Sequence, residues 1–481
     1  MELREPVALM QRETPKWLIR EGKSTEAKHW DGAARMSKEA TVMVAEQRGS
    51  IRLLKPDNNS KEEDDMTETK PFTISKQLVV KAYQLVKANA GAAGIDQQTL
   101  AEFDLNLKDN LYKIWNRMSS GSYFPPPVKA VPIPKKSGGN RILGVPTVSD
   151  RIAQMVVKQV FEPLVEPYFY PDSYGYRPNK SALDAIGVTR QRCWKYDFVL
   201  EFDIKGLFDN IDRQMIMKAV TKHTDIPWVI LYIGRWLNAP LQLPDGSAVE
   251  RTKGTPQGSV ISPVLSNLFL HYVFDHFMTK HYPEIKWCRY ADDGLVHCQT
   301  EQQAQQLLAA LKERFEACGL ELHPEKTKII YCKDGTRKEQ YPNTKFVFLG
   351  YEFRRRTAQN RKDGSLFLNF TPAVSKDALK SMRTKIREIG IRRKSETTIE
   401  VIAKIMNPIL NGWLNYYGRY CPSALSPMLR CLDTSLVTWS MRKFKKLKGR
   451  KTRAGQLIQR IRESRPSLFA HWKRGMIGGL V

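Results

Sequence analysis

The sequence predicts an α+β fold followed by a helical region, and three observations indicate this class. Between about residues 120 and 355, runs with strand alternation and runs with helical periodicity follow one another, with Pro and Gly between them. Beyond about residue 370, strand patterns thin out and helical stripes dominate. Positive charge gathers there too, because residues 380–481 contain 23 Lys or Arg against 5 Asp or Glu. We therefore expect an N-terminal extension over 1–70, an α+β region over 71–365 and a basic helical region over 366–481.

The first elements follow from composition and periodicity. Residues 57–70 are acidic and have almost no core-forming side chains, which is typical of a flexible linker. Helical periodicity begins near Ile74 and runs to about Ala88. Further on, a period-two pattern predicts a strand that sends Glu201 and Asp203 to the face opposite its apolar residues. Those apolar residues are Phe198, Leu200, Phe202 and Ile204.

Two later helices carry termination or capping signals. The first has an apolar stripe that ends at Gly319, a residue suited to the C-cap, and 320–322 then alternates as a strand. Its stripe consists of Leu307, Leu308, Leu311 and Phe315. The second helix begins after Ser375, a suitable N-cap. Its stripe consists of Leu379, Met382, Ile386 and Ile389.

The charge of the chain points to a polyanionic partner. The 481 residues include 77 Lys or Arg and 50 Asp or Glu, which gives a formal net charge of +27. Nucleic acid fits this balance best, and an anionic membrane surface is the alternative. No run of apolar residues is long enough to predict a membrane span. The seven cysteines never form a CxxC pair, which favours a reducing cytoplasm over a zinc ribbon or a disulfide scaffold.

Two segments carry acidic residues that suit metal-assisted chemistry. Residues 201–212 contain Asp203, and residues 289–294 contain Asp292 and Asp293 in a predicted four-residue turn with Asp293-Gly294 as its hairpin signal. Adjacent carboxylates repel one another unless a cation lies between them. Mg²⁺ prefers oxygen ligands and is usually held by one or two carboxylates plus substrate phosphates. An Asp-Asp-Gly sequence by itself, however, is more often a solvated turn.

Seven ordered blocks together resemble the reverse transcriptases, and their spelling resembles the group II intron-encoded proteins rather than viral enzymes. The YxDD box lies at 290–293, and the first carboxylate block lies at 201–212. The other blocks lie at 133–151, 173–180, 254–267, 322–328 and 348–351. The resemblance covers about residues 74–475. It implies a right-hand polymerase, with fingers and palm in α+β followed by a helical thumb or maturase region.

The resemblance also implies a catalytic site. Asp203, Asp292 and Asp293, with the backbone carbonyl of Ile204, would hold two Mg²⁺ ions for in-line attack of a primer 3′-hydroxyl on a deoxynucleoside triphosphate (dNTP). Lys326 matches a lysine that protonates the leaving pyrophosphate, although an ordinary surface lysine is an equal alternative.

Four further residues match positions that contact the incoming dNTP. Lys135 and Arg141, six residues apart across a predicted hairpin, match cations that grip the triphosphate, with a solvated basic turn as the alternative. Gln257 matches a residue that helps to hold the nucleotide, and a plain turn is its alternative. Phe208 matches the aromatic ring that collides with a ribose 2′-hydroxyl, and a core position is compatible with that role.

The basic C-terminal region is expected to bind RNA. Trp413, Tyr416 and Tyr417 lie in a segment that resembles the thumb or maturase region, where aromatic rings can stack on unpaired bases. A helix-core position is the alternative for Trp413 and Tyr416, and for Trp413 it is the preferred interpretation. A dense cationic run follows, and it contains Arg442, Lys443, Lys445, Lys446, Lys448, Arg450 and Lys451.

The resemblance implies a particular set of partners: group II intron RNA, an RNA template with its DNA primer, target DNA and dNTPs, with no membrane. We expect a cytoplasmic ribonucleoprotein, and the sequence leaves the oligomeric state open. The Cys/His-rich nuclease found at the end of many relatives is not expected, so mobility would need another source of primer. Two alternatives remain: a splicing cofactor with a vestigial polymerase, and a domesticated reverse transcriptase in phage defence or repair.

Overall fold

The structure, a computed structural model, describes residues 70–134, 139–359 and 363–478; the expected N-terminal extension therefore lies outside the described residues, apart from Lys70. The α-helices of the first half are α1 (Lys76–Asn89), α2 (Leu100–Leu105), α3 (Leu107–Ser119), α4 (Val148–Val165), α5 (Ala182–Cys193), α6 (Leu207–Asn210), α7 (Arg213–His223) and α8 (Pro227–Asn238). Those of the second half are α9 (Ser262–Leu270), α10 (His276–His281), α11 (Glu301–Ala317), α12 (Lys376–Glu388), α13 (Ile399–Tyr417), α14 (Ser426–Lys443), α15 (Lys451–Ser464) and α16 (Ala470–Lys473).

The strands form three sheets. They are β1 (Val128–Pro134), β2 (Asn140–Val145), β3 (Phe198–Asp203), β4 (Leu241–Gln242), β5 (Ala248–Val249), β6 (Lys286–Tyr290), β7 (Asp293–Cys298), β8 (Lys328–Tyr331), β9 (Lys345–Phe348), β10 (Tyr351–Gln359) and β11 (Leu366–Val374). The sheet orders are β2-β1-β4-β5, β6-β7-β3-β8 and β11-β10-β9. We call the second of these, which is antiparallel throughout, the central sheet.

Several predicted elements are confirmed. Helix α1 covers the expected helix and begins after an N-cap at Ser75. Helix α11 buries Leu307, Leu311 and Phe315 of the predicted stripe, and Leu308 is half-buried. Gly319 follows the helix with φ 73°, a conformation that glycine adopts without strain. Ser375 caps α12 by accepting a hydrogen bond from the amide of Ala378. The strand predicted at 320–322 is wrong, because only Leu322 pairs there, in an isolated bridge to Ile204.

The two faces of the central sheet pack into different cores. Phe198, Leu200 and Phe202 alternate along β3 and lie in a core with the helices of the first half and α11. Val199 on the opposite face lies in a second core, which also contains apolar residues of β9–β11 and of the C-terminal helices. Because side chains alternate along a strand, Glu201 and Asp203 belong to the face of Val199.

The C-terminal region is helical, as expected. Trp413 on α13 is buried in the second core, which confirms its interpretation as a core residue. The boundary expected at 365–366 falls within the β10–β11 hairpin, at the point where β11 begins. These two strands pair along their whole length, from Tyr351 opposite Val374 to Gln359 opposite Leu366. Among the described residues, no helix combines the length and apolarity that crossing a membrane requires.

Candidate active site

The register of the central sheet brings two of the predicted acids together. Strand β3 pairs antiparallel with β7, and Asp203 lies directly opposite Asp293. Directly opposed residues in such a pair have Cβ atoms about 5 Å apart, close enough for their carboxylates to share a ligand. Asp203 is 6% exposed, and Asp293 is half-buried. Residues ninety positions apart in sequence thus meet at one end of one sheet.

The turn that carries Asp292 differs from the prediction. The last pair of β6 and β7 joins Tyr290 to Asp293, so the turn consists of Ala291 and Asp292 alone. Ala291 adopts φ 54°, which is unusual for a residue with a side chain. Asp293 and Gly294 belong to β7 rather than to the turn. The predicted four-residue turn is therefore wrong, although Asp292 still lies directly beside the opposed acids.

Gly294, which the sequence placed in the turn, instead has a packing role on β7. It lies opposite Phe202, and a Cβ atom added to it would stand 2.0 Å from Cζ of that ring. Phe202 packs in turn against Phe274 and Phe315, with ring centroids 4.9 and 5.6 Å away. Glycine is needed here because the strand passes directly over an aromatic core.

The pKa of Glu201 shows that negative charge is concentrated at this end of the sheet. Burial, together with the carboxylates of Asp293 and Asp203, raises the pKa of its carboxyl to about 8 against the opposing effect of Lys328. The sequence placed Glu201 on the same strand face as Asp203 but gave it no role. The local surplus of negative charge is the condition that a divalent cation relieves.

Lys326 lies beside Asp203. Its Nζ stands 3.4 Å from Oδ2 of that residue, and the ammonium is half-buried. The amide of His323 also donates to the backbone carbonyl of Asp203 at 2.8 Å, which ties the loop that carries the lysine to the end of β3. The lysine predicted as a proton donor is therefore within reach of the acids.

Two of the residues predicted to contact the nucleotide, Arg141 and Gln257, are joined by a hydrogen bond that continues to Asp209. Arg141 Nε donates to Gln257 Oε1 at 2.6 Å, and Gln257 Nε2 donates to Asp209 Oδ2 at 3.5 Å. Arg141 is exposed on the β1–β2 hairpin, where it lies opposite Ile133. Lys135 lies outside the described residues. The guanidinium of Arg141 and the side-chain amide of Gln257 thus meet near the segment that follows β3.

Phe208 and Ile204 lie in that segment. Phe208 is half-buried on α6, and its carbonyl accepts a hydrogen bond from the amide of Thr255 at 2.7 Å. A Cβ atom at Gly254 would stand 2.5 Å from the same carbonyl oxygen, so the two segments pack backbone to backbone. The Ile204 side chain is buried. The backbone of Phe208 is thereby held against the loop that carries Gln257.

The oxygen donors at this site fit a magnesium ion whose coordination is completed by the substrate. In the described ranges, no group of three or more His, Cys, Asp or Glu side chains is arranged to hold a metal ion. Two opposed carboxylates and a neighbouring backbone carbonyl are hard oxygen donors, and Mg²⁺ is commonly bound by one or two carboxylates plus substrate phosphates. The arrangement therefore matches a site whose remaining ligands come from a nucleotide.

The cationic run is mostly exposed, whereas the neighbouring tyrosines are not. Lys443 is half-buried and donates to the carbonyls of Ser395 and Thr397. Tyr417 is 2% exposed, so the expected base stacking is not open to it, and Tyr416 is half-buried with its hydroxyl bonded to the Leu349 carbonyl. Both rings pack against Tyr351, and these contacts join α13 to β10. The exposed members of the run are Arg442, Lys445, Lys446, Lys448, Arg450 and Lys451.

Two family models match the chain. Reverse transcriptase (RNA-dependent DNA polymerase) matches residues 133–353, which contain the opposed acids. Group II intron, maturase-specific domain matches residues 379–457, which contain the cationic run. The chain therefore contains an RNA-directed DNA polymerase domain followed by a maturase domain. The two matches, in this order, support its assignment to the group II intron-encoded reverse transcriptases and maturases.

Curated relatives agree with this assignment. The group II intron-encoded protein LtrA of Lactococcus lactis is 26% identical over 447 residues, which cover 75% of this chain and 72% of that protein. Protein YkfC of Escherichia coli is 28% identical over 328 residues, 59% of this chain and 82% of that protein. An uncharacterised 91 kDa protein in a cob intron of Schizosaccharomyces pombe is 25% identical over 422 residues, 73% of this chain and 50% of that protein.

Proposed function

We propose that this reverse transcriptase copies a group II intron RNA into DNA at the end of β3 and β7, with Asp203, Asp292, Asp293 and the Ile204 carbonyl as the metal-holding set. The observation that carries the proposal is the register that opposes Asp203 and Asp293. An antiparallel sheet with two facing acids and a third in the adjacent turn offers oxygen ligands from two separate segments.

Magnesium supplies the charge in this proposal. Two ions bound there would lower the pKa of a primer 3′-hydroxyl and neutralise the developing charge on the triphosphate. In the reaction, a bond forms between the primer 3′-oxygen and the α-phosphorus, and the bond from that phosphorus to the pyrophosphate oxygen breaks. Most of the rate acceleration comes from positioning and charge stabilisation.

The protein side chains have distinct tasks in this reaction. Arg141, with Lys135, binds the triphosphate, and Gln257 holds the guanidinium of Arg141 in place. Phe208 excludes a ribose 2′-hydroxyl, which selects deoxynucleotides. Lys326 donates a proton to the departing pyrophosphate oxygen, and its position 3.4 Å from Asp203 supports that task.

The C-terminal region serves the maturase activity. Its exposed cations can follow the phosphates of folded intron RNA, and the enzyme domain then acts on an RNA template with a DNA primer at the target DNA. We propose a right-hand arrangement in which residues 71–365 form fingers and palm and 366–481 the thumb and maturase region. Such a protein would work in the cytoplasm, in a ribonucleoprotein with the intron.

One experiment separates the two activities. Purified wild type is given a primed RNA template, dNTPs and Mg²⁺, and in parallel a self-splicing-impaired intron RNA; the Asp292→Ala/Asp293→Ala variant is tested in both assays. We expect wild type to synthesise DNA and promote splicing, and the variant to lose synthesis while retaining splicing. Asp363→Ala, at an exposed turn, is the matched control and should behave as wild type. A wild type that promotes splicing without any synthesis would establish the vestigial alternative.

A further inference from the structure

Arg289 is fully buried beneath the turn that carries Asp292. Its side chain is 0% exposed, and so is that of Asp275, with which it forms a two-pronged ion pair at 2.7 and 2.6 Å. A buried ion pair contributes little net stability compared with apolar residues of the same size, because both charges lose their hydration. The pair is therefore better explained by the geometry that it imposes than by the stability that it contributes.

The guanidinium uses every N–H that it has. Nε and one Nη2 hydrogen serve Asp275, and the other Nη2 hydrogen serves Ser173 Oγ at 2.8 Å. The Nη1 group donates to Asn267 Oδ1 at 3.1 Å and to the Ala291 carbonyl at 2.9 Å. Five donors in one rigid plane thus meet five acceptors, and a lysine, with three donors on a flexible stem, could not replace them.

The turn is held from its other side as well. Asn267 Nδ2 donates to the Gly175 carbonyl at 2.6 Å. A Cβ atom added to Gly175 would stand 2.3 Å from the Ala291 amide nitrogen, so the backbone of Gly175 lies directly against the turn. Ala291 is the residue held at φ 54°. A left-handed alanine persists only where its surroundings fix it, and here they do so at both its carbonyl and its amide.

Two of the partners of Arg289, Asn267 and Asp275, come from one continuous helical segment. Asn267 lies on α9, and Asp275 ends the π-helical turn His271–Asp275 that joins α9 to α10. Such turns are rare and are often found at functional sites. The segment is packed in the core of the first half, so it offers a rigid frame for the guanidinium.

We infer that Arg289 is a positioning residue: its guanidinium fixes the Ala291 carbonyl against the α9 segment and thereby sets where the carboxylates of Asp292 and Asp293 are presented. The inference rests on the proposed function of those carboxylates. Because all five N–H groups of Arg289 are bonded within the protein, it acts through the two-residue turn.

The test uses the full chain and two variants of the frame. Arg289→Lys keeps the charge but removes the planar set of donors, and Arg289→Met/Asp275→Leu removes both charges while filling the same space. Arg337→Lys is the matched control, since Arg337 is also largely buried and donates to the carbonyls of Cys193, Trp194 and Cys332, at the far end of the central sheet. Thermal unfolding, primer extension under saturating template, and the Mg²⁺ concentration for half-maximal rate are measured for each.

A positioning role predicts a specific combination of results. In folded frame variants kcat falls by about tenfold to 100-fold, as expected for a small displacement of reacting groups. The Mg²⁺ midpoint rises, while KM for template-primer and the affinity for intron RNA stay as in wild type. The control variant keeps both kcat and the midpoint.

The outcomes that overturn the inference are distinct from those that overturn the proposed function. Folded frame variants with the kcat and Mg²⁺ midpoint of wild type would overturn the positioning role. If both frame variants fail to fold, Asn267→Ala decides, because it removes one acceptor without unpairing Asp275; an unchanged Mg²⁺ midpoint there would also overturn it. A wild type that makes no DNA would instead refute the proposed function.

Discussion

Arg289 of the central sheet and the cationic run of the C-terminal region use their positive charge in opposite ways. Arg289 is wholly buried, and its donors are all committed to acceptors of the protein. In the cationic run, Lys445, Lys446 and Lys448 are exposed. The same charge therefore fixes geometry in one region and is left for a partner in the other. Substitutions in the first region should alter chemistry, and those in the second should alter affinity.

The largest expected effect belongs to the acids. Asp203→Asn removes a charge that faces Asp293 and should lower the rate of DNA synthesis by about 1000-fold, since the charge that holds the cations is lost. Affinity for intron RNA should remain that of wild type. Single-turnover primer extension and a filter-binding titration measure the two quantities. An equal loss in both would mean that the two regions are not separable.

Buried charge should also be visible in the pH dependence of stability. Burial raises the pKa of Asp150 to about 6, although Trp236, Tyr123 and Gln154 all donate to its carboxylate. Because the folded state holds the proton more tightly than the unfolded chain, stability from this group is present below about pH 4 and is lost as pH rises through 6. The loss amounts to about 3 kcal/mol.

Urea unfolding of wild type and Asp150→Asn between pH 4 and 7 measures this contribution. The stability of wild type relative to the variant should fall across that interval. Asp363→Asn is the control, because the hydroxyl and amide of Ser365 lower the pKa of the Asp363 carboxyl, so its contribution to stability is nearly constant across this interval and falls only at lower pH. A difference between wild type and Asp150→Asn that does not change with pH would contradict the assignment.

The exposed region should respond to salt. Lys445→Ala/Lys446→Ala/Lys448→Ala should reduce the slope of log affinity for intron RNA against log salt by about 2, since each lost phosphate contact removes part of the counterion release. Synthesis on a short primed template should stay within a factor of about two of wild type, because the dNTP site is untouched. Lys81→Ala/Lys108→Ala/Lys113→Ala, three exposed lysines of the first half, removes the same charge elsewhere. An equal change of slope in this control variant would show that net charge, rather than the position of the cationic run, determines the salt dependence.

The smallest expected effect concerns sugar selection. Phe208→Ala should raise ribonucleotide incorporation relative to deoxynucleotide incorporation by about tenfold, the discrimination that a small steric change in a pocket provides. Competition between dATP and ATP in primer extension measures the ratio. Phe208→Tyr keeps the ring and should keep the selectivity; an unchanged ratio in the alanine variant would leave Phe208 only its packing role.

Local pattern was enough to predict much of this molecule. Alternation along β3 placed Asp203 on a strand, and the cap at Ser375 and the stop at Gly319 follow from short-range chemistry. These features depend on residues close in sequence. The C-terminal concentration of charge likewise needs no tertiary information, because it is a property of composition.

Long-range packing explains what the sequence could not show. Gly294 resembles a turn glycine, but its requirement comes from Phe202 on another strand, and the turn consists only of Ala291 and Asp292. Tyr417 resembles a base-stacking residue, but the ring is buried against Tyr351. The burial of Arg289 depends on partners from three separate segments, which no local pattern contains.

The central claim is that the ends of β3 and β7 hold one divalent centre together with a nucleotide, and iron-mediated cleavage tests it most directly. Fe²⁺ replaces Mg²⁺ in the complex of the chain with template-primer and dNTP, and ascorbate with peroxide then cuts the backbone beside the bound ion. We predict cuts near both Asp203 and Asp293 that excess Mg²⁺ and the Asp203→Asn substitution abolish. Cuts at only one of the two segments, or cuts that persist in the Asp203→Asn variant, would contradict the claim.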